Sequence, residues 1–135
     1  MNYMRSVFSL SLCLIVLSLP LGAEPFGNLP FNIRFDTSVA NLAANVFSTG
    51  PIRSAGPYNV FRAEVASSVA GTLAIQTSTT TNTSLFLDFA TISVTSGVPT
   101  SLEIDLTAAY VRSIFRNGAT AQTRFYHREV LQLWP

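Results

Sequence analysis

The chain has 135 residues, of which 48% are hydrophobic and only 11% are charged, and its formal net charge at pH 7 is +1. Arginines nearly balance the acidic residues and lysine is absent, so the sequence has neither the basic footprint of a nucleic-acid-binding protein nor a polybasic membrane-binding patch. A single cysteine and a single histidine exclude a disulfide framework and argue against a zinc site. We therefore expect no nucleic-acid partner, no cofactor and no metal.

Residues 1–23 have the composition of a secretory signal peptide. One positive charge, Arg5, precedes an apolar stretch over residues 7–19, and small residues follow at Gly22-Ala23. Cleavage after Ala23 leaves 112 residues, which is one domain with a modest core. The alternative is an uncleaved anchor, although residues 6–23 lie at the lower length limit of a membrane-spanning helix. The sequence therefore predicts a secreted or cell-surface protein whose mature chain is not stably inserted in a membrane.

A strictly alternating apolar pattern begins a few residues later and predicts a half-buried strand over residues 29–36. Full burial of its four apolar side chains would contribute about 6–12 kcal/mol, as much as the net stability of about 5–15 kcal/mol of a small domain. We expect that the docking of this candidate assembly strand, in its own sandwich or in a neighbouring subunit, decides whether the protein assembles. The four residues are Leu29, Phe31, Ile33 and Phe35.

Six further strand patterns are separated by clusters of Gly, Pro, Asn and Ser. They cover residues 58–67, 71–78, 84–95, 100–106, 109–116 and 119–133. The sequence therefore predicts an all-β fold: a single antiparallel β-sandwich of Greek-key or jelly-roll type with seven to eight strands. We assign residues 38–135 to the sandwich and residues 24–37 to the N-terminal strand segment. Within the 84–95 pattern, the apolar residues change from one side of the strand to the other after Phe89, which predicts a β-bulge there.

Three local segments are less regular. Residues 38–47 have apolar residues at helical spacing after Ser38, so a short helix and a strand of small residues are both open. Breaker residues predict a loop over residues 48–57. Asn117-Gly118 predicts a type I′ turn between two paired strands, because both residues adopt positive φ at low cost. That hairpin would place Arg112 on the same face as four other side chains, those of Tyr110, Ile114, Ala121 and Phe125.

No residues have the spacing of a catalytic motif, and we predict that the protein is not an enzyme. Glu103 and Asp105 lie two positions apart on a strand and are the best candidates for acid and base in glycoside hydrolysis. Their alternation with apolar neighbours instead assigns them to the solvent face of an amphipathic strand. His127 has no serine or carboxylate at motif spacing, so we expect a surface or sandwich histidine without a catalytic role.

The segment 77–84 is a low-complexity run of Thr, Ser and Asn that predicts an exposed hairpin tip. It contains the only N-glycosylation triplet of the chain, at Asn82. A plain flexible tip and a glycan carrier are both consistent with this composition. The candidate glycosylation residues are Asn82, Thr79, Thr80 and Thr81.

Two segments resemble known families. The alternating strand of residues 29–36, ahead of a Ser/Thr-rich and lysine-free sandwich, resembles the donor strand of chaperone-usher pilins and other extracellular fibril subunits, whose disulfide has no counterpart here. The segment from Tyr110 through Asn117-Gly118 to Thr123 is similar to a terminal hairpin of small β-sandwich modules in bacterial surface and phage particles. These resemblances imply head-to-tail homo-oligomers joined by strand exchange, and they imply no catalytic residues.

We therefore predict a structural subunit of an extracellular filament or surface assembly, which partners with itself and can carry glycans. Apolar residues 130–134 are expected to dock in their own sheet or in a neighbour. One alternative is a secreted hydrolase that uses Glu103 and Asp105. The main alternative is a secreted monomeric carbohydrate-binding, lectin-like module with aromatic platforms drawn from Tyr58, Phe61, Tyr110, Tyr126 and Trp134.

We expect the secreted protein to begin at or near Glu24, because the apolar stretch and the small residues before it fit signal-peptide cleavage. The intact mass or the N-terminal sequence of native material checks this expectation. A full-length mass would contradict it and would favour the membrane-anchor alternative.

Overall fold

The structure is a computed structural model that describes residues 32–38 and 40–134. Within these residues, nine strands and one turn of 3-10 helix, Thr83–Leu85, make up the regular secondary structure. The strands are β1 (Asn32–Ser38), β2 (Phe47–Thr49), β3 (Arg53–Ser54), β4 (Val60–Ser67), β5 (Gly71–Ser78), β6 (Leu87–Val94), β7 (Thr100–Asp105), β8 (Tyr110–Asn117) and β9 (Phe125–Gln132).

The strands form two antiparallel sheets, and most connections cross from one sheet to the other. Sheet A has the order β1-β9-β4-β7, and sheet B has the order β2-β8-β5-β6, with β3 also paired to β8. Because β2 and β3 pair with successive parts of β8, they share one edge position, and the sandwich has eight strand positions in a jelly-roll order. The predicted all-β sandwich is confirmed. The two short strands occupy part of the segment that was predicted to be a loop.

The long strands agree with the sequence patterns to within three residues, except that β9 begins six residues later than the 119–133 pattern. The predicted bulge is confirmed. Ile75 of β5 lies opposite Ala90, whereas the next residue, Gln76, lies opposite Asp88. Phe89 is therefore the extra residue on β6. The change of side that apolar residues make along this strand is the consequence of that insertion.

The hairpin predicted at Asn117-Gly118 is wrong. β8 pairs with strands of sheet B, whereas β9 pairs with β1 and β4 in sheet A, so the segment 118–124 crosses the end of the sandwich. Neither residue of the expected turn has a positive φ. The buried Asn117 amide instead donates to the carbonyls of Ala43 at 2.7 Å and Thr120 at 3.0 Å. These bonds compete with the turn and direct the chain across the sandwich.

The face that this hairpin was expected to form is also wrong. Ala121 is exposed, whereas Ile114 and Phe125 are buried in different sheets. Arg112 is not placed among them, because its Nε donates to Gln76 Oε1 at 2.8 Å on sheet B.

The segment before β2 is a loop, so the short helix considered for residues 38–47 is wrong for the described part of that segment; Val39 lies outside it. Hydrogen bonds to the 118–124 crossover hold this loop in place. Asn45, at a φ of 59°, donates its N–H to the carbonyl of Gly118 at 2.9 Å, and the Gln122 N–H donates to the carbonyl of Leu42 at 2.8 Å. We call residues 41–46 the anchored loop.

The core lies between the two sheets and is built from both of them. β9 brings Val130 and Leu131 into buried positions, so the apolar C-terminal segment docks in its own sheet, although Trp134 remains 58% exposed. Among the residues that the structure describes, no helix has the length and apolarity needed to cross a bilayer. The buried cluster includes Phe61, Val65, Leu73, Ile75, Phe115 and Phe125.

Candidate functional site

The candidate assembly strand coincides with β1, which is an edge strand of sheet A. It pairs with β9 from Asn32 opposite Gln132 to Asp36 opposite Arg128. Leu29 and Phe31 lie outside the described residues. The other two assembly residues, Ile33 and Phe35, are half-buried and pack against the core. A single ladder of backbone hydrogen bonds thus joins the described part of β1 to the rest of the sandwich.

Polar side chains fix the position of β1 on the outer face of sheet A. The Tyr126 hydroxyl donates to Asp36 Oδ1 at 2.7 Å, and burial together with this hydrogen bond raises the pKa of Tyr126. Further along the same face, Arg128 pairs with Glu64, and Arg62 lies 3.0 Å from Glu64. Such partly exposed pairs contribute little stability. Of these contacts, the Tyr126–Asp36 hydrogen bond alone involves β1, and it favours the register that brings Asp36 beside Tyr126.

On the inner face, β1 covers an ion pair that joins the two sheets. The guanidinium of Arg53, on β3, lies 3.6 Å from the centre of the Phe35 ring. Its Nε donates to Glu129 Oε2 at 3.1 Å, and Glu129 is 0% exposed. The arginine is therefore held between a buried carboxylate on β9 and an aromatic ring on β1.

Glu129 begins a polar network that continues through the centre of the sandwich. Its Oε1 accepts from the Ser113 N–H at 3.0 Å and from the Ser113 hydroxyl at 2.8 Å. That hydroxyl lies 2.7 Å from His127 Nε2, and the Ser48 hydroxyl lies 3.0 Å from His127 Nδ1. Because Ser113 gives its only hydroxyl hydrogen to the carboxylate, Nε2–H of a neutral His127 donates to Ser113, and Nδ1 accepts from Ser48.

This network brings together a serine, a histidine and a carboxylate, but it is not arranged for nucleophilic catalysis. In a catalytic triad the histidine accepts the serine proton and the carboxylate orients the histidine. Here the carboxylate binds the serine directly, and Ser113, His127 and Glu129 are all 0% exposed. His127 is a sandwich histidine, one of the two placements expected from the sequence.

The sequence contains a signal for this network that the motif search missed. Along β9, His127 and Glu129 alternate with Tyr126, Arg128 and Val130. They therefore point to the same side of the strand as the core residues Phe125 and Leu131. Two polar residues on the buried face of a strand require partners from the opposite sheet. Gly50 completes the site, because its N–H donates to the carbonyl of Ser113 at 2.8 Å and a Cβ there would overlap the Glu129 carboxylate.

The candidate glycosylation residues lie on an exposed surface between β5 and β6. Residues 79–85 are exposed, whereas Ser78 is buried at the end of β5, so the exposed tip begins two residues later than predicted. Asn82 Oδ1 accepts from the Ser84 N–H at 3.1 Å and from its hydroxyl at 2.8 Å. The side chain of the candidate acceptor therefore contacts the hydroxyl of its own triplet.

The residues of the alternative functions are not brought together. Glu103 and Asp105 are exposed on β7, as the solvent-face interpretation predicts. Two of the proposed carbohydrate platforms, Tyr58 and Phe61, are buried, so this part of the lectin prediction is wrong. Tyr126 lines a groove of about 340 Å³ with Glu64 and Arg128 among other residues, but the polar groups of these three residues already bind one another or Asp36. Within the described residues, no group of three or more His, Cys, Asp or Glu side chains is placed to hold a metal ion.

Comparisons with known proteins identify a family and a fold. Residues 27–132 match the family model described as "Uncharacterised protein YqxG N-terminal domain", and no curated protein matches. The structure of the PBSX exported protein XepA aligns with a TM-score of 0.70 and 20% identity over 76% of this chain and 38% of XepA. The chain thus spans less than half the length of XepA, and the likeness shows a shared fold.

Two further structures align with lower scores. Bacillus endospore appendages, described as disulfide-linked pili, give a TM-score of 0.49 at 10% identity over 80% of this chain and 93% of the pilus protein. The coat protein of Tobacco streak virus gives 0.40 at 12% identity over 80% and 92% of the two chains. These scores carry no argument about function. The resemblance to small β-sandwich modules of phage and bacterial surface particles is confirmed as a likeness of fold by the XepA alignment.

We expect the stability of the protein to fall between pH 7 and pH 5, because burial lowers the pKa of His127 to about 4. The histidine of the unfolded chain has a pKa of about 6.5 and therefore binds a proton within this interval. In the folded protein, His127 stays neutral in its buried position beside Ser48, Ser113, Glu129 and Arg53. The unfolded state is thus favoured as the pH falls, by about 2 kcal/mol at pH 5.

Urea denaturation of the wild type and of His127→Gln at both pH values measures this loss. Glutamine is neutral and can replace both hydrogen bonds, so the variant should lose much less stability than the wild type. Equal losses in the two proteins would show that His127 is not the titrating group.

Proposed function

The chain belongs to the YqxG N-terminal domain family, and we propose that it is a structural subunit of an extracellular filament or surface assembly in which copies exchange β1. The observation that carries this proposal is the edge position of β1, which inserts apolar side chains into the sandwich but pairs with a single strand. The description of XepA as an exported protein supports an extracellular location.

Exchange of β1 conserves the contacts of the strand. When β1 of one copy pairs with β9 of another, every hydrogen bond and apolar contact is replaced by its equivalent, so the equilibrium is set mainly by protein concentration and the entropy of association. Ile33 and Phe35 are half-buried, and at about 1.5–3 kcal/mol for full burial each they contribute about 1.5–3 kcal/mol together. The apolar contribution that is lost when β1 is released is therefore smaller than the net stability of a typical folded domain.

The connection after β1 supports exchange without unfolding of the sandwich. Two residues of the sequence, 39 and 40, separate β1 from the anchored loop, and that loop keeps its bonds to the crossover through Asn45 and Gln122. A short link between two fixed segments is the usual position at which a chain opens in a domain swap. A head-to-tail exchange would propagate as a filament, whereas a reciprocal exchange would close a dimer.

The composition of the protein surface favours association between copies of the chain. The chain has no lysine, the residue that commonly protects exposed sheet edges. Along β6, the edge strand of sheet B, Leu87 is 72% exposed and Phe89 is 56% exposed. The lectin-like alternative retains fewer aromatic residues at the surface than the sequence suggested, so assembly is the function that the geometry supports best.

One test of strand exchange traps the exchanged strand with a disulfide. Asn32 and Gln132 are cross-strand partners, at a spacing that a disulfide can bridge, and the chain from Glu24 onward has no cysteine. We expect a mixture of Asn32→Cys and Gln132→Cys copies of the mature chain to form a mixed disulfide dimer, detected by intact mass.

The control combines Asn32→Cys with Arg128→Cys, because Arg128 lies opposite Asp36, roughly 13 Å along the strand. This pair should not form the mixed dimer. A failure of the matched pair to crosslink at high protein concentration, while a single chain that carries both cysteines closes on itself, would show that β1 stays in its own sandwich.

Glycosylation of the exposed tip is the second part of the proposal. Asn82 and residues 79–81 are exposed, which an acceptor for a bulky glycan requires. We expect native material to have a mass above that of the polypeptide, and Asn82→Gln to remove the N-linked fraction only. A native mass equal to that of the polypeptide would contradict the glycan proposal and leave the assembly proposal unaffected.

A further inference from the structure

We propose that Arg53 and Glu129 form a recognition site for an aromatic ring at position 35 of the incoming strand, so that the partner selected by the site is the β1 strand of a second copy of this chain. This inference rests on the proposed function, since it concerns how the exchanged strand is chosen and aligned. The site consists of the Arg53 guanidinium, the Glu129 carboxylate beneath it and the groups that hold that carboxylate.

The recognition site belongs to the acceptor and does not depend on β1 for its construction. Arg53 lies on β3 and Glu129 on β9, and the supporting serines and histidine lie on β2, β8 and β9. Ser113 fixes one carboxylate oxygen by two hydrogen bonds, which leaves the other to bind Arg53. Because these bonds remain when β1 leaves, the guanidinium is already positioned for an arriving strand.

An aromatic ring is the group that this site fits. At 3.6 Å from the ring centre, the guanidinium lies close to the electron-rich face of Phe35, an arrangement that an aliphatic side chain cannot reproduce. The ring also shields the ion pair from water, which strengthens the interaction between Arg53 and Glu129. The site therefore distinguishes a ring from an aliphatic residue of similar apolar character.

The same site distinguishes the register of the strand. A shift of β1 by one residue would present Arg34 or Asp36 to the ion pair in place of Phe35, and Arg53 would repel the first whereas Glu129 would repel the second. A shift by two would present Ile33 or Thr37, and neither has a ring. On the outer face, the native register alone keeps Asp36 on the Tyr126 hydroxyl. The two faces of β1 thus specify one alignment.

The test is a double-mutant cycle on the disulfide-trapped exchange. Donors carry Asn32→Cys with either Phe35 or Phe35→Leu, and acceptors carry Gln132→Cys with either the native ion pair or Arg53→Met combined with Glu129→Gln. The paired acceptor substitution avoids a buried carboxylate without a counter-charge. We expect Phe35→Leu to lower the mixed-dimer yield about fivefold more on the native acceptor than on the neutral one.

Ile33→Leu in the donor is the matched control, since it alters an apolar residue of the same strand that has no ring, and it should affect both acceptors equally. An equal effect of Phe35→Leu on both acceptors would overturn the recognition site while leaving exchange itself established. If the wild-type pair forms no mixed dimer, the proposed function fails, and the same four variants are compared by urea denaturation within one chain. Additive changes in the free energy of unfolding would then overturn the contact between Phe35 and Arg53. Coupled changes would retain that contact as an interaction within a single chain.

Discussion

The carboxylate of Glu129 lies between two β-sheets without contact to solvent, and a buried charge of this kind is tolerated only when it is paired and hydrogen-bonded. Arg53 supplies the counter-charge, Ser113 supplies two hydrogen bonds, and Gly50 leaves the space that the carboxylate occupies. Arg53 and Ser113 lie on strands of sheet B, and Gly50 directly follows β2. One buried carboxylate therefore connects the two sheets at the edge of the sandwich where β1 docks.

The position of β1 follows from this constraint. The Arg53 side chain is partly exposed, and the Phe35 ring lies over its guanidinium. β1 is thus the strand that completes the burial of the ion pair, although it supplies no hydrogen bond to it. An edge strand with this role can be supplied by the same chain or by another, because the groups that it covers belong entirely to the remaining strands. The polar site is complete without β1, and β1 only shields it from solvent. This is the physical basis of the assembly proposal.

The sequence predicted the strands better than it predicted their connections. Period-two alternation located β4, β5 and β8 almost to the residue, and the phase change at Phe89 located the bulge, because these signals depend on local burial. The turn at Asn117-Gly118 failed because side-chain hydrogen bonds from Asn117 to the carbonyl of Thr120 and to that of Ala43, 74 residues away in the sequence, outweighed the local preference for positive φ. No local pattern contains that information.

The candidate site divides in the same way. Ile33 and Phe35 were identified from their alternation, since an apolar strand can be recognised without knowledge of its partner. The polar network was missed, because Ser48, Ser113 and His127 are far apart in sequence and meet only through the jelly-roll order of the strands. The alternation along β9 would have marked His127 and Glu129 as polar residues on the buried face of the strand, but it could not have identified the serines or Arg53 on the opposite sheet.

The central claim is that a mobile β1 joins copies of this protein, and sedimentation velocity of a locked chain tests it most directly. A mature chain with both Asn32→Cys and Gln132→Cys, oxidised at low concentration so that the disulfide closes within one molecule, cannot release β1. The account predicts that this chain remains monomeric at concentrations where the wild type associates, and that reduction of the disulfide restores association. Association of the locked chain to the same extent as the wild type, or a wild type that stays monomeric at high concentration, would contradict it.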